Sequence, residues 1–111
     1  MLRFLLIVCC LATIACVDPC GNEVKQELVS PDGHYTATAF IRDCGATTAF
    51  SPQVYLRRTG ARMAITGNVF IGDHSDAVTI RWLSANELEI SSPGKVVRLL
   101  KEFEGVRISL R

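Results

Sequence analysis

From residue 24 onward, apolar and polar side chains alternate in short runs separated by glycine, proline and small polar residues. That is the pattern of β-strands joined by tight turns. The clearest run covers 34–42. It sets Tyr35, Ala37, Ala39 and Ile41 against His34, Thr36, Thr38, Phe40 and Arg42, following a turn at Ser30-Pro31-Asp32-Gly33. Pro31 presets φ there and Gly33 accepts positive φ, so a strand over 24–29 must reverse into this one. Further strands are predicted at 53–58, opened by Pro52, and at 69–71. A hairpin is predicted from 77–83 and 87–91, with Val78, Ile80 and Trp82 on one face of its first strand. Trp82 is expected to contribute the largest single buried area. Residues 61–66 are too short and mixed to assign.

The last stretch carries two periodicities. Val96, Leu99, Leu100 and Phe103 fall at helical spacing after Ser92-Pro93. Val97, Leu99 and Phe103 also share a face at period two, Glu104-Gly105 forms a hairpin turn, and Val106, Ile108 and Leu110 alternate to the end. The hairpin is preferred over a helix at 93–104 because neighbouring segments of an all-β chain pair with one another. The fold class expected is therefore all-β, an antiparallel meander of about six to eight strands closed into a small sandwich or open barrel.

The amino terminus breaks the alternation. Arg3 precedes an apolar run that ends at Ala12-Thr13-Ile14-Ala15-Cys16. The run is about a dozen residues, short of the ~20 needed to cross a bilayer. It has the build of an export signal with small residues before a cleavage site. The expected organisation is a lipoprotein signal peptide over 1–15, a lipid-proximal tether over 16–22 beginning at the acylated Cys16, and one β domain over 23–111. The alternative is an ordinary secretory signal cut near Ala15. The expected location is the cell envelope, with the domain outside the cytosol and a membrane partner engaged through the lipid.

Charge excludes one class of function. Of twelve basic residues only Arg3 falls in the signal, which leaves eleven against eleven acidic ones. A nucleic-acid partner is not expected, since such binders concentrate a basic excess on one face. Of five cysteines, Cys9 and Cys10 leave with the signal and Cys16 takes the lipid, so Cys20 and Cys44 remain. Two cysteines in an oxidising compartment predict one disulfide. A metal site through both thiolates lacks the CxxC spacing and histidine pair that would support it, and a redox pair lacks the same motif.

Candidate chemistry is sparse. His74 sits in Gly72-Asp73-His74-Ser75-Asp76, where an imidazole and the carboxylates of Asp73 and Asp76 are candidates for a metal-dependent or hydrolytic site. The plainer reading is a solvated turn. No strained Gly-x-Ser-x-Gly nucleophile turn, phosphate-cradling glycine loop or calcium-loop spacing occurs, so no cofactor, resident metal or enzymatic activity is predicted. The loop Asp43, Gly45, Ala46, Thr47 and Thr48 around Cys44 is the preferred partner-binding candidate. A crosslink there fixes its shape and lowers the ordering cost of binding. The competing reading is that Asp43 and the threonines only satisfy backbone groups.

Two resemblances bear on these residues. Ser30-Pro31-Asp32-Gly33-His34-Tyr35, with Ile80-Arg81-Trp82 and Leu88-Glu89-Ile90, resembles a hairpin of a β-propeller blade, but about four blades of four strands exceed the length of this chain. Over nearly all of the mature segment, Cys20-Gly21-Asn22-Glu23, Ser30-Pro31-Asp32-Gly33, Arg42-Asp43-Cys44-Gly45-Ala46-Thr47-Thr48 and Gly67-Asn68-Val69-Phe70 are similar to a family of small bacterial lipoproteins and exported proteins of uncharacterised activity. The resemblance implies the same fold and a Cys20–Cys44 pairing, and carries no activity. The expected function is a non-catalytic envelope module that binds a protein or cell-wall partner. An inhibitor or immunity protein for an envelope-acting enzyme is the alternative beside the His74-centred enzyme.

Overall fold

The computed structural model describes residues 19–111. The expectations for the signal peptide and the acylated Cys16 fall outside the described residues. The described chain forms nine strands: β1 (Gly21–Val29), β2 (Tyr35–Asp43), β3 (Ser51–Arg58), β4 (Phe70–Asp73), β5 (Thr79–Ser84), β6 (Glu87–Ser91), β7 (Lys95–Leu99), β8 (Glu102–Phe103) and β9 (Val106–Leu110). They build two sheets, ordered β1-β2-β3-β4-β7 and β5-β6-β9-β8. The molecule is the expected all-β sandwich, with strand rather than helix at 95–99 and 102–103, although only Glu102 and Phe103 pair with β9 in the expected hairpin.

The sheets meet over one apolar core. Ala37, Ala39 and Ile41 of β2 and Val54 and Leu56 of β3 face Ile80, Leu88, Ile90, Val106 and Ile108 of the second sheet. Period-two alternation explains why these residues share a side. Trp82 is only partly buried and donates its indole Nε1–H to the Leu28 carbonyl at 3.1 Å. Among side chains that are completely buried, the largest are Phe40 and Phe70.

Phe40 lies on the face of β2 opposite the core, yet it is fully buried. Residues 59–68, which carry no clear periodicity, explain this by folding across that face as a strap. Arg57 Nη1 donates to the Ala61 carbonyl at 2.9 Å, and Asn22 Nδ2 and Arg42 Nη1 donate to the Ile65 carbonyl at 2.8 and 3.3 Å. The Gly67 amide donates to Gln53 Oε1 at 2.8 Å. A Cβ on Gly67 would come within 2.5 Å of the Phe70 carbonyl oxygen, so glycine alone fits where the strap rejoins the sheet.

The end of the chain departs from a simple meander. After β6 the chain crosses to the first sheet, where β7 pairs with β4, and then returns so that β9 lies parallel to β6. The strand expected at 69–71 therefore runs on through Gly72 and Asp73, which pair with Val96 and Lys95. The β3–β4 ladder itself stops at Gln53, next to Pro52, which has no N–H to donate.

Candidate binding cleft at the disulfide end

The hairpin β1–β2 begins and ends at the same place. Gly21 pairs with Asp43, and one residue beyond each of them Cys20 and Cys44 form a disulfide across a sequence separation of 24. The predicted crosslink is present and closes the open end of the hairpin.

Beyond the bridge the chain turns back through the loop 44–50. Gly45 takes φ of 117°, which side chains of other residues rarely tolerate. Asp43 Oδ1 accepts the Gly45 amide at 2.9 Å, and the Gly45 carbonyl accepts the Thr48 amide at 3.1 Å and the Thr48 hydroxyl at 3.0 Å. Two of the predicted loop residues, Asp43 and Thr48, thus shape the backbone, while Ala46 and Thr47 are exposed at the tip. Phe50 closes the loop and is 46% exposed; its carbonyl accepts the Ser75 amide at 3.3 Å. That bond ties the Cys44 loop to the turn carrying His74, so both regions singled out in the sequence lie at one end of the molecule.

A cleft of about 460 Å³ opens there, lined by Pro19, Glu23, Ile41, Asp43, Gly45 and Phe50 among others. Asp43 and Gly45 are the predicted loop residues that reach it. Pro19, Glu23, Ile41 and Phe50 were not distinguishable from sequence as a group, because three separate segments supply them. An aromatic residue at 50, in an otherwise small and polar link, was the one local signal.

Each carboxylate in the cleft has one oxygen engaged by its neighbours. Glu23 Oε1 pairs with Lys25 at 2.8 Å, and Asp43 Oδ1 holds Gly45. Two carboxylates beside an exposed phenyl ring make a surface that is both acidic and apolar.

The His74 turn has a different arrangement. His74 Nδ1 lies 3.1 Å from Asp73 Oδ2 with its side chain 70% exposed, and the Ser75 hydroxyl is engaged with the Ala77 backbone. Asp76 is exposed. Among the described residues no three His, Cys, Asp or Glu side chains gather where they would hold a metal ion.

At the opposite end of the hairpin a groove of about 510 Å³ is lined by Gly33, His34, Tyr35, Arg58 and Thr59. Its cations are already engaged within the chain. Arg58 Nε lies 3.0 Å from Glu104 Oε1, an interaction that raises the Arg58 pKa, and His34 Nδ1 lies 3.1 Å from Asp32 Oδ2. The smaller cleft differs in having an exposed aromatic ring, Phe50, on its wall, and that makes it the better candidate for a ligand from outside. Compared with known protein families, curated proteins and solved structures, the chain matches none, so the cleft's role is argued from its own chemistry.

Proposed function

We propose that this chain is an exported, lipid-anchored envelope protein that binds a protein partner in the cleft beside Cys44 and performs no catalysis. The observation that carries the reading is the placement of a half-exposed aromatic, Phe50, in a cleft whose walls are fixed by the Cys20–Cys44 bridge. A cleft held open by a covalent bond loses little further freedom on binding. Disulfides persist in oxidising compartments, which supports an address outside the cytosol. Cys16 stands four residues before Cys20, so a lipid there keeps the cleft end of the domain within roughly 15 Å of chain from the membrane.

Two experiments test the two halves of this reading. Mass spectrometry of the mature protein is expected to show an acylated amino terminus at Cys16; an unprocessed Met1 removes the anchor. A photo-crosslinking residue in place of Phe50 is expected to capture one envelope protein in cells, with reduced yield in the Asp43→Ala and Thr47→Ala backgrounds. Absence of any crosslinked product removes the docking role.

A further inference from the structure

We infer that the cleft's occupant is an extended polypeptide segment carrying an apolar side chain and a Lys or Arg two residues apart, laid along the open edge of β1; this rests on the docking reading above. Three observations converge on that chemistry.

The first is the edge itself. β1 is the outer strand of its sheet among the described residues, and its two halves differ on either side of an irregularity between Val24 and Gln26. Beyond the irregularity β5 lies against it: Gln26 Oε1 accepts the Ile80 amide at 2.7 Å, and the Leu28 carbonyl accepts Trp82 Nε1–H. Before it, Gly21 through Val24 are all exposed. An outer strand presents backbone N–H and C=O groups to whatever lies alongside, and strand addition is the recurring way that peptides use them.

The second is the parity of the side chains. Glu23 is paired with Ile41 and Gly21 with Asp43, so Glu23, Ile41 and Asp43 share one face of the hairpin. Gly21 and Glu23 also line the cleft. A strand laid beside this half of β1 directs every second side chain into that same space. Successive cleft-facing residues of the ligand are therefore two apart in sequence.

The third is charge complementarity. Ile41, Pro19 and the exposed ring of Phe50 accept an apolar group, while Glu23 and Asp43 place two carboxylates beside it. The Lys25 ammonium at 2.8 Å offsets the charge of Glu23, so Asp43 supplies the net negative charge of the cleft. A cation on the ligand is favoured in this setting and an anion is disfavoured.

The test uses the full mature chain in neutral micelles, isotope-labelled for amide spectra. Three probes are titrated: Ac-Thr-Leu-Thr-Lys-Thr-NH2, its Glu counterpart, and Ac-Thr-Leu-Lys-Thr-Thr-NH2, in which the two groups fall on opposite faces. The first is expected to shift the amides of residues 21–24, 45 and 50 saturably. The other two are expected to bind about five-fold more weakly, the range that exposed charge pairs supply. Combined Glu23→Gln and Asp43→Asn should remove the preference for Lys over Glu while the folded spectrum persists. Equal affinity for the three probes, or shifts confined to other surfaces, overturns the inference. If the photo-crosslinker at position 50 still captures a partner, and the crosslinked segment lacks this spacing, only the ligand chemistry falls and the docking role stands.

Discussion

The two ends of the β1–β2 hairpin solve the same problem by different means. At the turn end, closure is local and polar. Ser30 Oγ donates to Asp32 Oδ1 at 2.6 Å and accepts the Tyr35 amide at 3.1 Å, and Asp32 Oδ1 accepts the His34 amide at 3.1 Å. The neighbouring Arg58 and Tyr35 are secured by Glu104 from the β8–β9 turn. At the other end, closure is covalent, and the surrounding loop leaves Phe50 and a cleft exposed to solvent. At the turn end the charged side chains are engaged in holding the chain. A crosslink does the same job with two sulfurs and leaves the neighbouring side chains available for a partner.

Removing the bridge is the largest perturbation of this contrast. Combined Cys20→Ala and Cys44→Ala is expected to cost about 3 kcal/mol, from the chain entropy regained by an unfolded loop of this length. Denaturant unfolding measures the loss. Amide exchange should accelerate at Gly21–Val24 and stay slow at Ser30 and Tyr35. Equal acceleration at both ends would show that the hairpin opens as one unit and that the contrast is only geometric.

A smaller effect separates the loop's shape from its crosslink. Gly45→Ala forces a side chain onto a φ of 117°, a region outside glycine's ordinary competitors, and is expected to cost ~1–3 kcal/mol. Since a Cβ there meets no atom within 4 Å, the penalty comes from the backbone alone. Partner binding should fall further than stability does, because the loop forms part of the cleft. At the turn end, Ser30→Ala removes a hydroxyl that bonds both Asp32 and Tyr35 and should cost about 1 kcal/mol. That change should leave peptide titrations of the cleft unaltered; an altered cleft would mean the ends are coupled through the strands.

The same contrast explains what could be read from the sequence. Ser30-Pro31-Asp32-Gly33 announces its turn because every interaction that makes it lies within six residues, and the Cys20–Cys44 bridge follows from the two cysteines that remain once the other three are assigned to the expected export signal and lipid site. The strands of β2, β5 and β6 were legible because alternation is a local property. What escaped depended on partners far away in sequence. Phe40 belongs to the face opposite the core, which the strap at 59–68 crosses, and it is fully buried. Trp82 does pack against the core as its alternation suggests, but its indole bond to the Leu28 carbonyl, a partner 54 residues away, is not written in any local pattern. The parallel placement of β9 beside β6 required knowing that β7 leaves for the other sheet. At the cleft, the loop 43–48 was identified, yet Glu23, Ile41 and Phe50 come together only through the pairing of β1 with β2 and the Ser75 tether on Phe50.

Acid is expected to loosen the turn end, and gently. The Ser30 hydroxyl and then the His34 amide favour the ionised form of Asp32, so its pKa lies below the ordinary carboxylate value of 3.8. A carboxyl depressed on folding contributes stability that is fully present above its unfolded pKa and disappears as pH falls through the folded one. The turn should therefore hold unchanged from neutrality down to about pH 4 and loosen below that, seen as faster exchange of the His34 amide as its acceptor is protonated. Asp32→Asn should abolish this acid-dependent step while keeping an oxygen for the same amide. The covalent closure at the other end does not titrate, so the Cys20–Cys44 crosslink should hold its geometry across the same range. A parallel acid transition at both ends would show that the hairpin's turn and its crosslink share a single cooperative unit.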